Sequence, residues 1–245
     1  MNNQSHLVLG GAGAIGSAVI KELRCRNLEV KAVERTKNVD MVETIKADLF
    51  DYKQARKAIQ GFSHVYLCVG LPYRSDIWQE KWPEIMKNLI EACSEEKAKL
   101  IFFDNIYMYG PPPLPVPFDE TCPQNPTTRK GRIRKETADL LINAISSKKV
   151  NAVIGRSADF YGPLATNSSL YISFLERMLK GKAPQLALKA NIKHTYAYTK
   201  DSARALVTLA LDETTYGQVW HLPVGKPITI EEVIKAGKVN SNMKN

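Results

Sequence analysis

Two stretches of this chain carry residue types at spacings that can do chemistry. In "LVLGGAGAIGSAV" (7–19), Gly10, Gly13 and Gly16 fall between an apolar run and a helix-period segment. Glycines in such a turn let backbone N–H groups approach a pyrophosphate, and the positive end of the following helix favours that charge. The spacing alone is a weak signal; a strand before it, a helix after it and a βαβ continuation give the context that points to dinucleotide binding, with Ala14 and Ile15 opening the helix. The second stretch is "TTRKGRIRKET" (127–137), where Arg129, Lys130, Arg132, Arg134 and Lys135 crowd five cations into seven positions. A helix starts here, and that is the end that repels cations. The run is a nucleic-acid patch, a solvated face or a device for holding an anion.

A third position bears on which dinucleotide fits. The strand predicted at 28–34 is followed by "ERTK". Glu34 would bond an adenosine ribose and favour NAD, whereas Arg35 or Lys37 would hold a 2′-phosphate and favour NADP. The two signals conflict, so the cofactor is NAD or NADP.

The elements that must position these residues follow from periodicity. Strands are predicted at 6–10, 28–34, 64–70, 99–105 and 150–156, with helices at 14–25, 52–60, 82–97 and 131–147. Apolar strands separated by helix-period segments indicate an α/β fold, a doubly wound parallel sheet covered on both faces. The proline-rich stretch 110–126 reads as an extended loop, because the alternation resumes after it. Beyond Gly162 the pattern changes: a helix at 169–181, a short extended piece and a helix within 194–213, then a strand and a helix start. Thr229 and Glu232 form a capping box there. The expected division is a dinucleotide-binding α/β domain over 1–163, to which later segments return, and a small, shortened second lobe with a polar tail over 164–245.

The chain has 245 residues, 44% hydrophobic and 24% charged, which suits one large soluble domain with an appendage. A net charge of +9 favours anionic partners such as nucleotides. Cys25, Cys68, Cys93 and Cys122 make no Cys-x-x-Cys pair and no metal spacing with the histidines, which predicts free thiols in a cytoplasmic protein and no metal site. The run 7–20 is interrupted by four glycines, has no basic residue before it and is too short to span a bilayer.

Seven segments occur in one order: the glycine turn, "ADLFD" (47–51), "VYLCVG" (65–70), "NLIEA" (88–92), "DNIYMYG" (104–110), "GRSADFYGP" (155–163) and "GQVWHLP" (217–223). Together they resemble the extended short-chain dehydrogenase/reductase family, the NAD-dependent epimerase/dehydratase group. The resemblance implies a Rossmann domain in which Asp48 and Leu49 flank the adenine. Cys68, Val69 and Gly70 would line the middle of the cofactor. It also implies a serine or threonine before the Tyr-Gly of "DNIYMYG", and a Tyr-x-x-x-Lys about 25 residues later that moves a proton while hydride passes at nicotinamide. Here those positions hold Asn105, Lys130 and Arg134. Lys130 and Arg134 are four apart and share a helix face, so the geometry is kept while the chemistry changes. Asp104, Tyr107, Tyr109 and Tyr161 are further candidates. Trp78 and Trp82 read as packing, and His194 and His221 as satisfied by local hydrogen bonds.

The reading is an NAD(P)-dependent oxidoreductase, epimerase or dehydratase acting on a sugar nucleotide or another small carbonyl or hydroxyl compound. The alternative is a cofactor-binding regulator without turnover, similar to NmrA-like redox sensors, which the lost tyrosine and short lobe favour. An RNA-binding role ranks last, since no aromatic-interleaved motif is visible. The family resemblance also suggests a homodimer through the helices at 82–97 and 131–147.

Overall fold

The computed structural model describes residues 4–182 and 191–235. In chain order they form β1 (Ser5–Leu9), α1 (Ala14–Cys25), β2 (Glu29–Glu34), β3 (Thr44–Lys46), α2 (Tyr52–Ile59), β4 (His64–Leu67), α3 (Ser75–Glu95), β5 (Lys99–Asn105), α4 (Arg129–Ser146), β6 (Ala152–Ser157), β7 (Phe160–Tyr161), a π-helical turn (Tyr171–Leu175), α5 (Glu176–Leu179), β8 (Ala197–Tyr198), α6 (Thr199–Leu211) and β9 (Val219–His221). Seven strands build one sheet in the order β3-β2-β1-β4-β5-β6-β9, every neighbouring pair parallel. β7 and β8 pair separately.

Strand side chains alternate between the sheet's faces, and each face is sealed by its own helices. Leu7, Leu9, Val65, Leu67, Leu100 and Phe102 pack with residues of α2, α3 and α4. Val8, Tyr66, Ile101 and Val153 pack with α1 and α6. Burial on both faces explains why these strands are apolar throughout rather than alternating. All strands point the same way, so the chain after β1, β2, β4, β5 and β6 emerges at one edge. Ligands bind along such an edge in open α/β sheets.

Two elements differ from expectation. Helix α3 begins at Ser75, seven residues before the predicted Trp82. Pro83 fits a first helical turn, which suggested the later start, but Trp78 is buried and its N–H closes a bond onto Arg74 O at 3.0 Å. Packing thus carries the helix through the proline. β3 is a three-residue edge strand too short and too polar to show a period. The capping box is formed, with Thr229 N donating to Glu232 Oε2 at 2.7 Å and Glu232 N to Thr229 Oγ1 at 3.2 Å. The polar tail expected at the C-terminus falls outside the described residues.

Candidate active site

The glycine turn is built from backbone. Gly10 sits at φ 84°, and a Cβ there would lie 2.8 Å from Val69 Cα. A Cβ on Gly16 would meet Gly10 O at 2.2 Å, so this glycine lets α1 press against the turn. Gly13 is different: its nearest neighbour would be Gly10 O at 3.4 Å, and the residue is exposed. Nothing inside the protein demands a glycine there, which fits a cradle kept open for a ligand. Gly13 also caps α1 without a side-chain bond, so no side chain fills the N-terminal anion position. A dinucleotide diphosphate fits these features. The Ile15 side chain is core, leaving only its backbone for a ligand, while Ala14 remains at the surface.

The rim continues along the strand ends. Glu34 Oε1 accepts from Ala12 N at 2.7 Å, so the carboxylate braces the turn it borders. Arg35 is exposed beside it. Asp48 uses Oδ1 to hold Phe50 N at 3.1 Å, and Leu49 is buried. Cys68 is buried among the residues facing α1, and burial pushes its thiol pKa up, so it offers no thiolate. Val69 packs toward the other face and Gly70 is exposed, so this segment presents backbone to the edge.

At the start of α4, the dilemma of five cations on a helix N-terminus resolves residue by residue. Thr128 caps the helix, its Oγ1 accepting from Gly131 N at 3.0 Å. Arg129 bonds Gln79 Oε1, Arg132 bonds Thr127 O, and Lys135 pairs with Asp139 one turn on at 2.7 Å. These three are local surface arrangements.

Arg134 departs from the expected role. It is 2% exposed; its guanidinium pairs with Asp104 through Nη2 and Nε, and it lies 4.3 Å over the Trp82 ring. Asp104 also accepts from Arg156 Nε at 3.3 Å, and Arg156 Nη1 donates to the Tyr109 hydroxyl at 2.9 Å. The Tyr109 hydroxyl in turn meets His221 Nε2 at 2.7 Å. Arg134 is therefore committed to a buried network rather than offered to a ribose. The reason is chemical: a guanidinium matches a carboxylate with a fork of donors that lysine lacks.

Lys130 does reach the edge. Its Nζ donates to Tyr73 O at 3.1 Å and sits 2.8 Å from the Tyr73 ring centroid. Among the described residues it pairs with no carboxylate, and partial desolvation pulls its pKa below the usual lysine value. Asn105, at the end of β5, accepts from Tyr107 N through Oδ1 at 3.0 Å. An N–H requires an acceptor there, so the amide nitrogen is the half left for a ligand oxygen. Tyr107 stacks on Trp78, with its pKa raised by burial and by the Tyr73 hydroxyl. Trp78 and Trp82 form an edge-to-face pair at 6.4 Å, as packing residues do. The described chain links the two halves directly: Gly10 presses on Val69, and the loop from Val69 runs on to Tyr73, which holds Lys130. Tyr73 had no sequence signal, since it lies 57 residues from the lysine it binds. His194 bonds Asp159 Oδ2 at 3.2 Å and His221 meets the Tyr109 hydroxyl, so both are hydrogen-bonded, but to partners 35 and 112 residues away rather than to the local ones expected.

The model of the NAD dependent epimerase/dehydratase family matches residues 6–221. The chain belongs to that family. Its fold is that of solved family structures at low identity. UDP-glucose 4-epimerase from Thermus thermophilus, in complex with NAD, is 22% identical over 95% of this chain and 82% of that one, with a TM-score of 0.78. UDP-N-acetylglucosamine 4-epimerase from Methanobrevibacter ruminantium is 21% identical, with coverages of 96% and 81% and a TM-score of 0.81. The dTDP-glucose 4,6-dehydratase of Streptomyces venezuelae, with NAD and TYD bound, is 16% identical, with coverages of 94% and 79% and a TM-score of 0.82. No curated protein sequence matches this family member. Among the described residues no helix is long and apolar enough to cross a membrane, and no cluster of three metal-ligating side chains occurs.

Proposed function

We propose that this epimerase/dehydratase family member is an NAD-dependent oxidoreductase acting on a sugar nucleotide or a similar small hydroxyl or carbonyl compound. In this reading Lys130 takes the place of the missing tyrosine. The observation that carries it is Lys130 itself: an amine held on Tyr73 O at the start of α4, paired with no carboxylate among the described residues and with a lowered pKa. NAD, when bound, supplies the hydride acceptor or donor. The turn at Gly10–Gly16 holds the diphosphate with backbone N–H groups. Glu34 beside the ribose position repels a 2′-phosphate, which favours NAD over NADP. In its deprotonated form the Lys130 Nζ takes the proton of a substrate hydroxyl and returns it in the reverse step. The Asn105 amide donates to the oxygen that becomes a carbonyl. Arg134 acts through Asp104, fixing the end of β5 on which Asn105 sits.

The test is calorimetry with NAD⁺ and NADP⁺, followed by the absorbance of reduced nicotinamide over a panel of sugar nucleotides. Lys130→Met is expected to lower kcat/KM by about a hundredfold or more while leaving the NAD⁺ Kd unchanged. A second reading, a cofactor-binding regulator, is favoured by one observation: Lys130 already bonds Tyr73 O. Tight NAD⁺ binding with no turnover on any substrate, in wild type as in Lys130→Met, would select it. The homodimer through α3 and α4 belongs to the same family reading and is tested by sedimentation equilibrium.

A further inference from the structure

Helix α1 has a second face that the cofactor turn does not use. Ile15, Val19, Ile20 and Leu23 face the core. The opposite stripe, Ala14, Ser17, Ala18, Lys21 and Cys25, recurs at helical spacing and forms the floor of a groove of about 610 Å³. It starts small and apolar near the turn and becomes cationic toward Cys25. The walls are Met41 on one side, with Pro163, Leu164 and the start of α6 on the other.

Charge says what fits. Lys21 and Arg24 on α1 and Lys200 on α6 line the groove, and none has an ion-pair partner among the described residues. Arg204 has only a long contact of 3.9 Å to Asp201. Glu22, the carboxylate in the lining, is already taken by Arg26 at 2.8 Å. Thr199, 1% exposed, also lines the groove, with its Oγ1 turned inward against Gly162. Met41 and Leu164 stand exposed at the two walls. Unpaired cations over a small-residue floor, flanked by apolar side chains, suit a molecule that carries both phosphates and a flat apolar part.

We propose that the groove between α1 and α6 is a second ligand site, separate from the glycine turn, which takes a phosphate-bearing molecule of nucleotide size. The phosphates lie toward Lys21, Arg24 and Lys200, and the apolar part lies between Met41 and Leu164. The site is independent of turnover and adjoins the glycine turn at Ala14, so its test keeps NAD⁺ present.

Cys25 provides the reporter, because it is the exposed cysteine at the end of the groove while Cys68, Cys93 and Cys122 are buried. It lies about 16 Å along α1 from Ala14, so a ligand confined to the turn leaves it uncovered. The experiment follows alkylation of Cys25 by N-ethylmaleimide in the intact chain with NAD⁺ present, adding ADP or inorganic pyrophosphate. ADP at ten times its Kd is expected to slow labelling about tenfold, by mass action, and pyrophosphate to protect less well. The double variant Lys21→Glu/Arg24→Glu, and separately Lys200→Glu on the other helix, are expected to weaken the ADP affinity about tenfold or more, with the thermal midpoint unchanged. Labelling that ADP leaves unaltered would overturn the proposal. So would protection equal to that by pyrophosphate, protection surviving both charge reversals, or tighter protection by a single-stranded RNA oligonucleotide.

Discussion

The glycine turn and the start of α4 face the same edge of the sheet and are both places where the sequence offers an anion a site, among other readings for α4, yet they work by opposite means. The turn is made of backbone: Gly10 and Gly16 leave room for main chain, and Gly13 leaves room for a ligand. The α4 start is made of side chains whose partners come from elsewhere, Gln79, Tyr73 and Asp104. Backbone geometry constrains sequence tightly, so such a turn persists or disappears. Side-chain chemistry can be exchanged one residue at a time. Arg134 forms a buried pair with Asp104, while Lys130 keeps its amine on the Tyr73 carbonyl at the rim. One helix start therefore holds both a structural and a candidate catalytic residue, four positions apart.

The sharpest way to break this contrast is Arg134→Ala. Removing one partner of a buried pair leaves a carboxylate uncompensated and typically costs about 3–5 kcal/mol. Asp104 keeps Arg156, which places the expectation at the lower end of that range. Urea unfolding measures it. A loss below about 1 kcal/mol would mean that Arg134 is not structural and return it to the ligand-facing role.

The next effect acts on the turn's own strands. His6 on β1 and His64 on β4 stack with ring centroids 4.7 Å apart in the core. Burial is the main cause holding each pKa down to about 4 from 6.5, with the neighbouring His64 adding to it for His6 and Lys99 for His64. The folded protein keeps both rings neutral while the unfolded chain takes up protons. Stability is thus fully present above pH 6.5 and falls as the pH drops toward 4, by about 3 kcal/mol for each ring. Urea midpoints at several pH values follow the decline, and His6→Phe is expected to reduce it by about half, leaving the His64 share. A flat wild-type profile would show that the rings titrate normally.

Within the turn, Gly10→Ala and Gly13→Ala separate folding from binding. The Gly10 change forces a side chain into left-handed backbone against Val69, a destabilisation of about 2–3 kcal/mol. The Gly13 change meets only a 3.4 Å contact, so the thermal midpoint is expected to stay within about 2 °C while NAD⁺ affinity falls about tenfold. Equal losses of stability for the two would remove the argument that Gly13 is open for a ligand.

These differences also explain what was legible in the sequence. The turn was readable because glycine spacing, strand and helix are neighbours in the chain, and the parallel sheet was readable because every strand is buried on both faces. The α4 cations were readable as a run but not as roles. Arg134 meets an acceptor 30 residues away, Arg129 one 50 away and Lys130 one 57 away. The early start of α3 was hidden by Pro83, whose local preference lost to the burial of Trp78. Nothing local marks Tyr73, whose carbonyl does its work.

The smallest effect tests whether the α4 start is a distinct unit. Thr128 holds Gly131 N at 3.0 Å, and a Cβ on Gly131 would meet Tyr107 O at 2.5 Å, so the cap seats the helix start directly against the loop after β5. Thr128→Ala removes one capping bond, a loss of about 1 kcal/mol, or about 2–4 °C in Tm for a chain of this size. Thr128→Ser is expected to restore it. Because Lys130 lies two residues beyond the cap, a frayed first turn moves the amine before it moves anything in the glycine turn. The expected signature is therefore a drop in kcat with the NAD⁺ Kd unchanged. Should NAD⁺ affinity fall as far as kcat, the two regions would be one coupled site, and the backbone and side-chain halves of the edge would not be separable.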